Sequence, residues 1–304
     1  MKVCVTGATG YLGNNLIKEL INRDIKVLSI IRNKYKRYEY ISDFLITDLC
    51  NKEKLLLKLK EFEPDVIVHC AAHIPKDTNK EEEFLSLQNN IIATKNLLSI
   101  MEEIGTKHLI FSSTISIYTG NKISLNSFPF NEKSIIDPEG FYGRDKLKAE
   151  QLCINWSLKE INRKCDILRF SGIHGGGRKD GVIYNFINKF LISETVFIPS
   201  PYSRYSILSI NDAVQAILLL LLGREKFIKN QTFNIAGNED IELIEIAKKI
   251  KELTKSKSII ELGDKKLEVR SMDIRKAKKK IGFNPLPLDN WIKKEILEIY
   301  KSNH

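Results

Sequence analysis

The chain has 304 residues, is 43% hydrophobic and 28% charged, and carries a formal net charge of +10 from 48 Lys and Arg against 38 Asp and Glu. That length excludes a disulfide-stapled miniprotein. The apolar content and mixed charge exclude a disordered chain, leaving a folded protein of one or two domains. The positive balance favours anionic ligands in general: nucleic acid, acidic membranes or phosphorylated small molecules.

The first half alternates strand-like and helix-like segments. Lys2 to Thr6 is a β-rich run, and Asn14 to Asn22 follows with helical spacing. Lys26 to Ile31 and Phe44 to Thr47 read as strands, Lys52 to Phe62 as a helix, and Val66 to His69 as a fourth strand. A long helix is predicted over Phe84 to Ile104, a strand over His108 to Ser112, a second long helix over Tyr142 to Ile161, and a strand over Asp166 to Phe170. Continuous apolar strands between helices indicate a parallel sheet covered on both faces.

The second half is less regular. Gly172 to Gly181 and Ile198 to Arg204 read as loops, Asn211 to Leu222 as a helix capped by Asn211-Asp212, Thr232 to Ala236 as a strand, and Ile241 to Leu253 as an amphipathic helix. The last 50 residues are charged and helical, broken at Pro285-Leu286-Pro287. The pattern predicts a dinucleotide-binding domain over 1–170 with 205–236, and a smaller discontinuous lobe over 171–204 and 237–304. The most apolar stretch, Ala213 to Leu222, is about half the roughly 20 residues of a membrane span and reads as a buried helix. Five cysteines (Cys4, Cys50, Cys70, Cys153, Cys165) without a C-x-x-C, behind an N-terminus with no secretory pattern, predict reduced thiols and a cytoplasmic protein.

Thr6-Gly7-Ala8-Thr9-Gly10-Tyr11-Leu12-Gly13 stands between the first strand and the first helix. In that position Gly7 permits a tight turn, Gly10 lets a pyrophosphate approach the backbone, and Gly13 lets helix and strand pack closely. The end of the second strand reads Ile31-Arg32-Asn33-Lys34, with Arg37 close by. A carboxylate there would bind a ribose 2′-OH; a guanidinium suits a 2′-phosphate. NADP(H) is therefore favoured, with NAD(H) as the alternative.

With the downstream motifs, the chain resembles the extended short-chain dehydrogenase/reductase family of nucleotide-sugar epimerases, dehydratases and ketoreductases. T-G-x-x-G-x-x-G is Thr6 to Gly13, Asp-Leu after the third strand is Asp48-Leu49, and His-x-Ala-Ala is His69-Cys70-Ala71-Ala72. Asn90 matches the Asn of the N-x-x-G-T helix, Ser112-Ser113-Thr114 the fifth-strand triplet, with Tyr118 following, and Tyr142-Gly143-Arg144-Asp145-Lys146 the Tyr-x-x-x-Lys. The resemblance implies a Rossmann-type doubly wound parallel sheet. It implies a dinucleotide held by Gly7, Thr9, Gly10, Tyr11, Leu12, Gly13, Arg32, Asp48, Leu49, Cys70, Ala71, Ala72, Asn90, Tyr142 and Lys146. It also implies catalysis by Thr114, Tyr142 and Lys146, and a homodimer through the two long helices.

The chemistry is direct. A free Tyr, with a pKa of about 10, is a poor base near neutrality; Lys146, one helical turn after Tyr142, favours its phenolate, and Thr114 orients the reacting oxygen. Ile115 and Ser116 stand where the family's 4,6-dehydratases carry an Asp-Glu pair, which disfavours dehydration. Gly172 replaces the Asn that often contacts the substrate phosphate, but His174, Arg178, Arg204 and Arg270 lie in the segments expected near an anionic substrate. No metal-ligand spacing occurs. Three activities stay open: an NADP(H)-dependent 4-ketoreductase on a nucleotide-sugar, a C4 epimerase using the same residues, and a non-catalytic dinucleotide-dependent binder. The basic run Arg275 to Lys280 lacks interleaved aromatics, so no nucleic acid is expected.

Overall fold

The computed structural model describes residues 1–33, 41, 43–120, 128–223 and 230–303; Lys34 and Arg37 lie outside the described residues. The chain divides into two compact units. One comprises Met1–Lys122, Ile135–Arg169 and Ile217–Phe233, the other Ile123–Ser134, Phe170–Ala216 and Asn234–His304.

In chain order the elements begin with β1 (Lys2–Thr6), α1 (Tyr11–Ile21), β2 (Lys26–Ile31), β3 (Phe44–Ile46), α2 (Lys52–Phe62) and β4 (Val66–His69). There follow α3 (Lys80–Ser86), a π-helical segment (Leu87–Ile92), α4 (Ala93–Ile104), β5 (His108–Thr114), α5 (Gly140–Leu158) and β6 (Lys164–Phe170). The remainder is β7 (Ile173–His174), α6 (Gly181–Leu191), β8 (Val196–Ile198), β9 (Arg204–Tyr205), β10 (Leu208–Ser209), α7 (Ile210–Leu222), β11 (Thr232–Ile235), β12 (Ile241–Glu242), α8 (Leu243–Thr254), β13 (Ile260–Leu262), β14 (Val269–Arg270), α9 (Arg275–Ile281) and α10 (Leu288–Asn303).

In the first unit, strands run β11-β6-β5-β4-β1-β2-β3 in a seven-stranded parallel sheet flanked by helices, a Rossmann-type fold. β1 pairs with β2 on one side (Val5↔Ser29) and with β4 on the other (Val5↔Val68). The strand order therefore reverses at β1, which opens a crevice at the carboxyl ends of β1 and β4. The strands hold because their β-branched and apolar residues are buried: Val3, Cys4, Ile67, Leu109 and Ile167 are all under 2% exposed. Leu97 and Met101 of α4 and Ala149, Cys153 and Trp156 of α5 join Cys4, Ile67, Leu109 and Ile167 in one core.

The helices start and stop on local signals. The Asn51 side chain accepts the Lys54 N–H at the start of α2, and Asn79 accepts the Glu82 N–H at the start of α3. Gly105, at φ +79°, ends α4. The single helix expected over Phe84 to Ile104 is two helices joined by the π segment, where the Ala93 N–H reaches back to the Gln88 carbonyl.

The second unit buries Ile183, Ile187 and Phe190 of α6, Ile246 and Ile250 of α8, and Trp291 and Ile292 of α10 in its own core. Helix α6 was not anticipated. The loops expected over Gly172 to Gly181 and Ile198 to Arg204 contain β7 and part of β9, and Ile241-Glu242, expected as helix, pairs with β9 as a strand. The cap expected from Asn211-Asp212 is instead Ser209: its hydroxyl accepts the Asp212 N–H at 3.0 Å and donates to the Asp212 carboxylate at 2.6 Å. Among the described residues no helix is long and apolar enough to cross a membrane.

Candidate active site

The glycine turn forms the floor of the crevice. Gly7 sits at φ +66°, and a Cβ there would lie 2.6 Å from the Ala71 backbone. A Cβ on Gly13 would meet the Gly7 carbonyl oxygen at 2.3 Å, so α1 closes onto the turn only with glycine there. The expected roles of Gly7 in the turn and Gly13 in close packing both find a steric cause. Helix α1 opens at Gly10 with no acidic side chain in its first turn, so its positive end is not neutralised by its own sequence.

A groove of about 900 Å³ runs over this floor, lined by Gly7, Thr9, Gly10, Arg32, Asp48, Leu49, Cys70, Ala71 and Ala72 among others. Nine of the sequence-expected dinucleotide positions thus share one cavity, while Tyr11, Leu12 and Gly13 continue from its rim into α1. Arg32 ends the β2 wall, and its Nη1 donates to Asn89 Oδ1 at 3.3 Å. Among the described residues Asp48 is the one acidic side chain on the lining, and its Oδ1 accepts the Cys50 N–H at 2.7 Å. A backbone floor, a helix N-terminus and a guanidinium on the wall fit a phosphate-bearing dinucleotide.

Asn90 stands elsewhere than on the lining. It is 2% exposed; its Oδ1 accepts the His73 N–H at 2.8 Å, and its Nδ2 donates to the His73 carbonyl at 2.9 Å and to the Ser86 hydroxyl at 3.0 Å. Both amide ends are committed to the chain that leaves β4, so Asn90 shapes the Cys70–Ala72 wall from behind. The π segment that carries it widens the helix by one residue at that point. His69 is buried under the same wall. Thr94 donates to the Asn90 carbonyl, so it accepts from His69 Nε2; Nδ1 then accepts from Thr6 at 2.6 Å. The ring is the neutral Nε2–H tautomer, and burial with the Lys146 charge takes its pKa down to about 3.

Thr114 closes β5, and its Oγ1 accepts the Ser116 N–H at 3.2 Å. The residues entering α5 are stitched to the turn after it: the Glu139 N–H donates to the Ser116 carbonyl at 2.8 Å and the Asp137 N–H to that of Ile117 at 3.0 Å. A Cβ on Gly143 would lie 2.4 Å from the Ser116 oxygen, so α5 rests directly on that turn. Tyr142 and Lys146 occupy one face of α5 at i and i+4. Burial pushes the Tyr142 phenol up to about 12 and takes Lys146, 2% exposed, down to about 8. In the cofactor-free chain Tyr142 is therefore a phenol, a proton donor, at neutral pH.

In the second unit His174 is flanked by Gly172 and Gly181, each of which would place a Cβ 3.3 Å from its ring. Its Nδ1 is buried without a hydrogen-bond partner among the described residues, and burial with the Arg178 charge lowers its pKa to about 4. Arg178 pairs with Asp180 and donates to the Ile173 carbonyl at 2.7 Å. Arg204 and Arg270 lie on the paired strands β9 and β14, held by Asp240 at 3.1 Å and Glu268 at 3.3 Å.

Sequence reasoning missed three features. Glu150 and Arg169 form a bidentate buried pair (3.0 and 2.7 Å), with Arg169 Nη1 donating to the Tyr118 hydroxyl at 2.6 Å. His73 pairs with Glu82 at 2.6 Å. In the second unit Glu295 accepts the Gly176 N–H at 2.8 Å, fixing the loop after β7. All three join residues that no local pattern links; the one-turn spacing of Lys146 and Glu150 points to a pair that Glu150 makes with Arg169 instead.

The model of the NAD dependent epimerase/dehydratase family matches residues 3–236. The chain is 28% identical to dTDP-4-dehydro-6-deoxyglucose reductase of Escherichia coli, over 98% of this chain and 97% of that protein. It is 28% identical to UDP-glucose 4-epimerase of Vibrio cholerae, over 82% and 74%. In fold it matches a UDP-glucose 4-epimerase of Thermotoga maritima solved with UDP-glucose, at a TM-score of 0.88 and 24% identity over the whole of both chains.

Proposed function

The chain belongs to the NAD dependent epimerase/dehydratase family, as an enzyme of the extended short-chain dehydrogenase/reductase type, and from that premise we propose that it reduces the 4-keto group of a nucleotide-linked sugar with NADPH. The observation that carries this reading is geometric: Tyr142 and Lys146 share one face of α5, and α5 rests through Gly143 directly on the turn that follows Thr114. Likeness to the Escherichia coli reductase over nearly both full lengths supports it. Ile115, buried, and Ser116 offer no carboxyl acid for dehydration.

Gly7, Thr9, Gly10, Tyr11, Leu12 and Gly13 hold the pyrophosphate. Arg32 takes the 2′-phosphate, Asp48 and Leu49 the adenosine end, and Cys70, Ala71 and Ala72 form the inner wall braced by Asn90. When bound, the reduced nicotinamide supplies hydride to the carbonyl carbon. Tyr142 gives its proton to the carbonyl oxygen, Thr114 donates a hydrogen bond to that oxygen, and the Lys146 ammonium stabilises the phenolate left on Tyr142. The unit carrying these residues is the dinucleotide domain. The other is the substrate lobe, where His174, Arg178, Arg204 and Arg270 meet an anionic substrate. Exposed Phe84, Leu87 and Leu158 on the long helices support a homodimer.

The test is NADPH oxidation followed at 4-keto-6-deoxy sugar nucleotides of several bases, with NADH in parallel. Turnover with NADPH supports the reading; no absorbance loss with either cofactor across the panel ends it. A C4 epimerase is the second reading, favoured by the likeness to the Vibrio cholerae epimerase. Oxidised cofactor that co-purifies, with interconversion of C4 epimers and no net absorbance change, would select it.

A further inference from the structure

Lys146 is a buried cation without an anion of its own. Its Nζ lies 4.0 Å from the centroid of the Phe111 ring, and among the described residues it makes no hydrogen bond or ion pair. The polar groups of every neighbouring element are otherwise committed or neutral. On α5, Glu150 is one turn beyond Lys146, but both its oxygens are held by Arg169 of β6, which also grips Tyr118. Cys153, two turns on, is a buried thiol. At the end of β4, His69 is neutral, and burial pushes the Cys70 thiol up to about 12. Tyr142, one turn before, is a phenol.

We propose that Phe111 is a positioning residue whose ring face seats the Lys146 ammonium and stabilises its charge without consuming any of its N–H donors. The aromatic quadrupole attracts a cation lying over its face, and the attraction grows when both are removed from water, as here, with Phe111 1% exposed. A carboxylate at the same place would hold the ammonium more tightly, but the resulting pair would have little net field at Tyr142 and would occupy donors needed by a ligand. Glu150 favours the ammonium only from a distance, since Arg169 holds both its oxygens and leaves none for an ion pair with Lys146. The ring is itself fixed: its centroid stands 5.5 Å from that of His69, which Thr6 and Thr94 hold from both nitrogens.

This inference rests on the role given to Lys146 above, so its test reads the lysine directly. The full chain is labelled with 13Cε-lysine, the Lys146 signal is assigned by its loss in Lys146→Arg, and its titration is followed by NMR without added cofactor. Position 111 carries Phe, 3,4,5-trifluorophenylalanine or, as Phe111→Leu, no ring. The Lys146 midpoint is expected to fall by about one pH unit in Phe111→Leu and by part of that in the fluorinated protein, which keeps the packing while weakening the quadrupole. The high-pH limb of kcat/KM for reduction should move with it. An unmoved midpoint in the fluorinated protein overturns the proposal, whatever the fate of Phe111→Leu. A midpoint that moves while the pH–rate limb stays put leaves the ring as the seat of Lys146 and removes Lys146 from the proposed chemistry.

Discussion

Tyr142 and Lys146 are pushed in opposite directions by the same burial, and each ends in the form that a carbonyl reductase uses. The phenol keeps its proton to about 12 and the ammonium keeps its charge to about 8. Since burial lowers the lysine, it is charged below that pH and neutral above it. kcat/KM for NADPH, which reports the groups of the free enzyme, should therefore be level through neutrality and fall as pH rises past about 8. Tyr142→Phe removes the donor and keeps the ring; kcat should drop roughly 10²–10⁴-fold, while cofactor affinity, read by fluorescence quenching, changes little. Tyr142, Lys146 and Thr114 stand out in the sequence because their motif carries chemistry-specific spacing, and the structure sets the first two one turn apart on α5 and the third at the end of β5. Phe111 does not stand out. An apolar residue in a buried strand reads as core, and nothing in its neighbours announces that a cation 35 positions later rests on its face.

The elements that could be read to within a residue or two were those with one strong local cause. β1, β2, α2 and β4 are continuous apolar or periodic runs ended by turn residues, and they lie where the sequence put them. The failures have physical reasons. A π segment keeps an amphipathic pattern nearly in phase, so Phe84 to Ile104 looked like one helix; the tertiary bond from Asn90 to His73 marks the departure. Helix α6 is rich in Val, Ile, Tyr and Phe, residues of low helix propensity, and its stability comes from packing against α8 and α10. Strands of two residues, such as β7 and β9, have no period to detect. The seating of α5 on the turn after Thr114 makes a sharp prediction. Gly143→Ala drives a methyl to 2.4 Å from the Ser116 oxygen. It should lower stability by about 1–3 kcal/mol in thermal unfolding, and lower kcat further than that loss explains, because Tyr142 moves with its helix.

At the scale of the molecule, the sheet, its switch point and the groove follow from strand order, and strand order followed from the alternation of strand and helix in the first half. The sequence ranks NADP(H) above NAD(H) on one guanidinium, Arg32, which lies on the groove wall. NADP⁺ should raise the melting temperature of the wild-type protein more than NAD⁺ does. Arg32→Asp should reverse that order, shifting the ratio of the two dissociation constants by roughly 10–100-fold or more, on the scale of a charge-assisted hydrogen bond. Equal shifts by both cofactors in the wild-type protein would remove the 2′-phosphate role from Arg32.

The chain enters and leaves the two units repeatedly: Met1–Lys122, Ile135–Arg169 and Ile217–Phe233 alternate with Ile123–Ser134, Phe170–Ala216 and Asn234–His304. Neither unit is a single stretch of gene. A recombination event with one crossover can never exchange the whole second unit for that of a relative; it must carry over fragments of both. Within such a chain a contiguous exchange is confined to segments such as 170–216, and an engineer grafting a foreign second unit must join the two sequences at every one of those crossings.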